Sequence, residues 1–344
     1  MERVFIRNSE RSTFNQCRQK WYWAYQDRYK PHSGGMNALV FGDIIHRALA
    51  EWYIPEKDIK KVVRGTHPAK AVDEIFKSIE RQGRDSKIRS YDYDDEDKWV
   101  DAHELGVTMM ENYVKEYGND DEIMVVYPEM PFQYDIWDGD DYLVTFVGTT
   151  DALVKSRSTG KFGLLEHKTA ASINMEHLFL DEQANTYWTV LPLWLWENGI
   201  ISEDEDLEFM LYNYMRKSKG DSRPQNEHGQ YLNANGSVSK RQPPPLFERM
   251  NVRRGTYERD KSYERLTLVS RMIIDAKNGK EPIYKAPSKD CSYCEFRDLC
   301  EMDEIGNDVE DYVRSAFTTW HPYEAHVWAL GENPTVSGKV TNPK

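Results

Sequence analysis

The chain has 344 residues, of which 39% are hydrophobic and 30% charged, enough to build one large domain or two small ones. Its 45 Lys and Arg against 58 Asp and Glu leave a formal net charge of −13, which excludes a protein that coats nucleic acid by overall charge. No run of about 18 apolar residues occurs, and Met1 to Phe5 lack the apolar stretch of a secretory signal; no membrane span is expected, and the expected location is the cytoplasm.

Phe14, Cys17, Trp21 and Tyr25 recur at helical spacing and predict a first helix over Ser9 to Tyr29, with Ser12 as a capping residue. Three more helices follow, over Met36 to Trp52, Ala69 to Gln82 and Trp99 to Tyr117, with a polar loop from Arg84 to Asp97. The period then changes. Ile123 to Tyr134 and Tyr142 to Val154 read as strands joined by an Asp138-Gly139-Asp140-Asp141 turn, and Ser158 to Lys161 is a second turn before a third strand, Phe162 to Lys168. Leu178 to Trp196 reads as a helix, Leu207 to Met215 as a strand, Lys217 to Pro245 as a long loop or insertion, and Tyr257 to Asn278 as a helix. Helices, a strand cluster, a helix and a strand imply an α/β core with helical additions.

The charge is uneven. Acidic runs at Asp92 to Asp97, Glu203 to Asp206 and Glu301 to Asp311 read as solvated surface. Basic residues gather at Arg11, Arg18, Lys20, Arg28 and Lys30, at Arg216, Lys217, Lys219 and Arg223, and at Lys240, Arg241, Arg249, Arg253, Arg254 and Arg259, so a nucleic-acid path is expected along those segments. In Arg18 to Tyr25 basic and aromatic residues interleave. Trp21 and Tyr25 are expected to pack, whereas Arg18, Lys20 and Arg28 are the candidates for phosphate contact.

Three short pieces carry the chemistry: Gly42-x-x-x-His46, Gly148-Thr149-Thr150-Asp151 and Glu166-His167-Lys168. Asp151 and Glu166 end neighbouring predicted strands, so their carboxylates can meet at one edge. Glu166 and Lys168, two apart, share a strand face, while the His167 side chain points the other way and leaves only its carbonyl to the site. Carboxylates are hard oxygen ligands suited to Mg²⁺ or Mn²⁺. Such an ion activates water and stabilises charge on a phosphate, and the lysine adds a positive charge there. Each piece alone has a plainer explanation: a surface ion pair for Glu-x-Lys, a helix residue at a buried edge for His46, and a packing pair one turn apart for Gln183 and Tyr187. Their joint order is the signal.

In that order the sequence resembles the PD-(D/E)XK nuclease superfamily, in particular its RecB-like branch. Gly42-x-x-x-His46 looks like the first motif, Asp151 the second, Glu166-x-Lys168 the third, and Gln183-x-x-x-Tyr187 the glutamine–tyrosine motif of that branch. The resemblance implies a restriction-endonuclease-like fold: a central mixed sheet flanked by helices, with a helical lobe bearing an iron–sulfur cluster. It implies that His46, Asp151, Glu166 and the His167 carbonyl hold Mg²⁺ or Mn²⁺. Lys168 then positions or activates water, and Gln183 and Tyr187 support the site or contact DNA. His167 departs from the family, which more often has an apolar residue there, and suggests a polar inner layer behind the strand.

Cys291-x-x-Cys294-x-x-x-x-x-Cys300 and the distant Cys17 account for all four cysteines. Their spacing suits Zn²⁺ or an iron–sulfur cluster and does not choose between them. CRISPR-associated RecB-like and AddB-type exonucleases, which the chain resembles from about Ser9 to Cys300, place one cysteine before the nuclease core and three after it. In them the four hold a [4Fe-4S] cluster, which would here staple the N-terminal helix to the C-terminal segment.

The expected organisation is one nuclease domain over residues 1–344. Residues 1–120 form a helical part carrying Cys17 and His46, 121–216 the catalytic sheet core, 217–256 a loop or insertion, 257–300 a helix and the cysteine segment, and 301–344 a tail. The expected activity is a Mg²⁺- or Mn²⁺-dependent DNA exonuclease acting on single strands or ends. The alternatives are a DNA-end binding and processing module for CRISPR adaptation or recombination without strong cutting, and a zinc-stapled interaction protein whose Glu-x-Lys is incidental. No Gly-x-x-x-x-Gly-Lys-Ser/Thr loop is present, so any helicase would be a partner, as would a recombinase or CRISPR adaptation proteins. A phage setting fits as well as repair.

Overall fold

The computed structural model describes residues 2–32, 36–85, 96–118, 120, 122–138 and 141–324. Among these, six strands form one mixed sheet. Its centre is β4 (Tyr142–Ser156), paired antiparallel along one edge with β3 (Ile123–Asp138) over nearly its whole length. Two strands share the other edge of β4. β1 (Glu2–Ile6) runs parallel to residues 142–146, and β5 (Phe162–Ala170) runs antiparallel to residues 152–155. Residues 147–151 of β4 lie between them with no strand partner on that edge. β6 (Leu207–Arg216) then pairs parallel with β5, and β7 (Phe247–Val252) antiparallel with β6.

Alternation along these strands feeds two cores. Phe146, Leu153, Leu164 and Met210 face α1 (Asn8–Gln16), α6 (Glu182–Glu197) and α7 (Thr256–Lys277) through Phe14, Val190, Leu191, Leu266 and Ile273. Ala152, Val154, Leu165 and Leu211 face α3 (Ala38–Trp52), α4 (Pro68–Asp85) and α5 (Glu96–Tyr117) through Ile44, Ile45, Val72 and Met110. A sheet covered on both faces explains why β5 and β6 read as near-continuous apolar runs. The expected α/β core is therefore present: a central mixed sheet flanked by helices.

Several sequence expectations shift. The helix expected over Ser9 to Tyr29 breaks at Cys17, whose extended backbone ends α1 and whose Sγ caps α2 (Arg18–Trp21) at the Lys20 amide. A π-helical turn, Tyr22–Gln26, follows. The helix expected from Leu178 likewise starts as a 3₁₀ turn, Glu176–Leu180, and α6 begins only after Asp181 caps the Ala184 amide. Most of the expected Arg84 to Asp97 loop, and Gly139 and Asp140 of the expected turn, lie outside the described residues; at the loop's borders Arg84 and Asp85 end α4, and Glu96 and Asp97 begin α5. Residues 217–245 are held by internal hydrogen bonds and two isolated bridges, Gln225 to Tyr231 and Leu232 to Val238.

Part of the C-terminal tail is folded. After α8 (Arg297–Glu304) and α9 (Glu310–Ala316), β8 (Phe317–Thr319) pairs with β2 (Tyr29–Pro31). Trp320 then donates to the Ala24 carbonyl, and Tyr323 donates to the fully buried Glu10 carboxylate. Among the described residues no helix is long and apolar enough to cross a membrane.

Candidate functional site: a forked sheet edge and a thiol-lined cavity

The register Ala152 to Leu165 is the last pair of the β4–β5 ladder. One step further stand Asp151 and Glu166, where the strands part. Two hydrogen bonds patch the fork. The His167 amide, which has lost its partner on β4, donates to Asp151 Oδ2 at 2.6 Å. The Thr149 carbonyl, in the stretch of β4 between the β1 and β5 ladders, accepts from the Tyr187 hydroxyl at 3.1 Å. The first gives a buried strand amide the partner that the parted ladder denies it. The small Gly148 allows this approach: a Cβ there would lie 2.8 Å from the Phe132 ring and 3.1 Å from that of Tyr187.

Through the fork His46 reaches Asp151 from the opposite helix layer, Nδ1 to Oδ1 at 3.1 Å. Lys168 donates to Glu166 Oε1 at 2.7 Å and to Gln183 Oε1 at 3.0 Å, and Gln183 Nε2 donates to the same Glu166 oxygen at 2.9 Å. Both bonds fall on Oε1, so Oε2 of Glu166 takes part in neither. The structure thus brings His46, Asp151, Glu166, Lys168 and Gln183 to one edge, with His167 and Tyr187 behind it.

Burial sets the charges. The Glu166 carboxyl is pushed up to about 7 by burial, against the pull of Lys168. Burial also opposes the Asp151 charge, but His46 outweighs it and holds the carboxyl down at about 2. Burial opposes the His46 charge in turn, and Asp151 overrides it, raising the imidazole to about 9. Lys168 is held above its ordinary value by Glu166 despite burial, and so stays cationic. It is suited to stabilising negative charge and unsuited to accepting a proton. Glu129, which the sequence reading missed, adds negative charge. The pairs Pro128 to Ala152 and Met130 to Thr150 bracket it, which sets it on β3 opposite Asp151 of β4, and its carboxyl is pushed upward by burial and then by Asp151.

Behind β5 the expected polar inner layer is present. His167 is 3% exposed and stacks on Tyr53 with ring centroids 5.6 Å apart. Its Nδ1 lies 2.9 Å from Asn213 Nδ2, which also donates to the Tyr113 hydroxyl. Tyr113 meets Tyr53, and Tyr53 donates to Asp120, which Arg249 pairs at 2.8 Å. Burial pushes His167 down to about 3, so it is neutral. Arg249 and Arg254, both expected on a nucleic-acid path, are instead structural: the side chains are 10% and 2% exposed, and Arg254 is bonded to Asn185 and the Leu178 carbonyl.

The donor set suits a hard divalent cation: a buried and a part-buried carboxylate, an imidazole and a carbonyl. Burial keeps the Glu166 proton up to about 7, so an ion bound here would displace it and take over the carboxylate charge. The gathering is incomplete, because His46 spends Nδ1 on Asp151, and among the described residues no three His, Cys, Asp or Glu side chains are grouped around one metal-ion position.

The four cysteines, all free, line one cavity of about 880 Å³ together with Lys20, Trp23, Lys285 and Phe296. Burial pushes the Cys300 thiol up, Lys285 opposes it, and the Cys17, Cys294 and Cys291 sulfurs add to the rise. The thiols are thus near one another without forming a single-ion cage. Lys20 pairs with Glu295 beside this cavity at 3.1 Å, so it belongs to the thiol lobe and not to an open phosphate path. Trp21 is fully buried, as expected.

The sequence model of the PD-(D/E)XK nuclease superfamily matches residues 8–301. No curated protein matches the chain at a significant level.

Proposed function

The chain belongs to the PD-(D/E)XK nuclease superfamily, and from that premise we propose a Mg²⁺- or Mn²⁺-dependent deoxyribonuclease, an exonuclease of the RecB-like branch acting on single-stranded DNA or DNA ends. The observation that carries this reading is the pair Asp151 and Glu166, one step beyond the last ladder pair, with the Lys168 amine 2.7 Å from Glu166.

Asp151, Glu166, His46 and the His167 carbonyl are the groups that would hold the ion. When bound, it supplies Lewis-acid charge for the phosphate and a more acidic water. The chain's own residues do the rest. Lys168, kept cationic, stabilises the charge that builds on the phosphate as water attacks. Gln183 fixes both Lys168 and Glu166, so neither swings away. Tyr187 holds the unpaired β4 edge in place. Cys17, Cys291, Cys294 and Cys300 are proposed to hold a [4Fe-4S] cluster that ties the N-terminal helices to the C-terminal lobe.

The test is digestion of end-labelled single- and double-stranded DNA with Mn²⁺, with iron and sulfide assays on anaerobically purified protein. Glu166→Ala should lower cutting at least about a hundredfold, the scale of losing a group that stabilises transition-state charge, with circular dichroism unchanged. Full cutting by this variant would sink the site assignment.

A further inference from the structure

A cleft of about 770 Å³ opens beside the catalytic edge and is not accounted for by the metal donors. One wall is Gly148, Gln183 and Tyr187; the other is the start of α1, with Arg7, Arg11 and Ser12. α1 has no side-chain cap at Arg7, so its first amides remain free for an anion. A second observation points the same way. The Arg7 Nε and the Asn8 Nδ2 are buried atoms without a hydrogen-bond partner, whereas the neighbouring Arg11, 4% exposed, is held by Asn8, Thr186 and Glu182. Arg7 has no carboxylate within ion-pair distance among the described residues. Its guanidinium is caged by Tyr25, Trp320 and Tyr323 at 5.4 to 5.8 Å from the ring centroids. The acids that line the cleft are already engaged. Asp181 accepts from the Ala184 amide and the Tyr212 hydroxyl, and Glu182 lies between Arg11 and Arg265.

We propose that this cleft holds a backbone phosphate of the DNA strand next to the one cut at the fork, with Arg7 and the α1 amides as its anion donors. The inference rests on the nuclease reading and adds where the strand lies. Gln183 and Tyr187 form the shared wall, so a strand bound here passes directly to Glu166 and Lys168. Trp320 and Tyr323 hold the Arg7 guanidinium at the mouth of α1 without offering it a carboxylate.

The experiment measures anisotropy of a fluorescent single-stranded oligonucleotide against the full chain, in Ca²⁺ and at several salt concentrations. Oligonucleotides with and without a 5′ or a 3′ phosphate are compared. Arg7→Gln should weaken binding roughly three- to tenfold and flatten the log–log salt slope by about 0.7, the value of one single-strand phosphate contact, and Arg7→Lys should restore part of both. Ser12→Glu, an exposed change on the same wall that leaves the core untouched, should weaken binding similarly. Unchanged affinity and slope in Arg7→Gln and Ser12→Glu, with wild type binding and cutting, would overturn the cleft assignment alone. A terminal-phosphate preference of tenfold or more that Arg7→Gln abolishes would replace the backbone phosphate by an end phosphate and overturn it as stated. A wild-type protein that neither binds nor cuts would overturn both this inference and the nuclease reading.

Discussion

The forked edge and the thiol lobe are two sites built on opposite principles. At the fork nearly every polar atom is bonded to another: His46 to Asp151, Asp151 to the His167 amide, Lys168 and Gln183 to Glu166, Tyr187 to the Thr149 carbonyl. Two large cores hold the strands that carry them. In the thiol lobe the four sulfurs share a cavity, and the apolar support is small: Trp23, Ala24, Phe296, Leu299 and Phe317. Three rings give it some order, with Phe296 and Phe317 stacked at 5.4 Å and Trp23 beside Phe296 at 5.8 Å. The fork is organised by the protein's own hydrogen bonds, whereas the lobe, on the cluster proposal, would depend on what its sulfurs bind. Removing the bound group should therefore act locally in one place and structurally in the other.

The largest expected effect tests that difference. Cys294→Ala, or iron chelation, should destabilise the lobe by roughly 2–5 kcal/mol, comparable to cutting a covalent staple that closes a long loop. Proteolysis should then open first between about residues 285 and 320, with the far-UV signal of the sheet retained. Simultaneous collapse of sheet and lobe would break the contrast. Gly148→Ala probes the other side. Its Cβ would press on Phe132 and Tyr187, so a loss of about 1–3 kcal/mol in chemical denaturation is expected. Activity should fall with it, because Tyr187 can no longer hold Thr149.

The smallest effect is with pH. Glu166 and His46 keep their protons up to about 7 and about 9, above their ordinary values of 4.5 and 6.5. The folded chain therefore binds more protons than the unfolded one, and the stability these two groups contribute falls as pH rises from about 4.5 to about 9. Asp151, held at about 2 against an ordinary 3.8, acts in the opposite sense and loses its contribution only as pH falls through that range. A cation at the fork needs all three proton-free. Mn²⁺ affinity should accordingly rise by about tenfold per pH unit between 7 and 8.5, one proton's worth from His46. Calorimetry that finds a flat affinity over this range would remove the imidazole from the donor set.

Much of the fork was legible because β-strand alternation is simple. The Leu164-Leu165 run, the Glu-x-Lys spacing and the hairpin fixed which side chains share a face. What stood across from Asp151 was not legible. Register shifts at Val125/Tyr127 and Asp135/Trp137 defeat any count outward from the turn, so Glu129 went unseen. β7 was hidden because its alternation carries Arg249 and Asn251 in place of apolar residues, and β1 and β8 are too short to announce a period. The break at Cys17 was masked by its own helical spacing; only the extended backbone reveals that its sulfur caps α2. The buried chain from His167 through Asn213 and Tyr113 to Asp120 and Arg249 joins four elements far apart in sequence, which no local pattern encodes.

The unpaired stretch of β4 has one more consequence. Residues 147–151 give up neighbours on one side so that an acid can stand clear, which places a seam inside an otherwise continuous sheet. Amide protons along that seam should trade with deuterium sooner than those of β5 and β6 on either side of Leu164 and Met210, and a cation joining Asp151 to Glu166 should slow them by bridging the gap. The protein would thus be softest where it works and would stiffen there on loading.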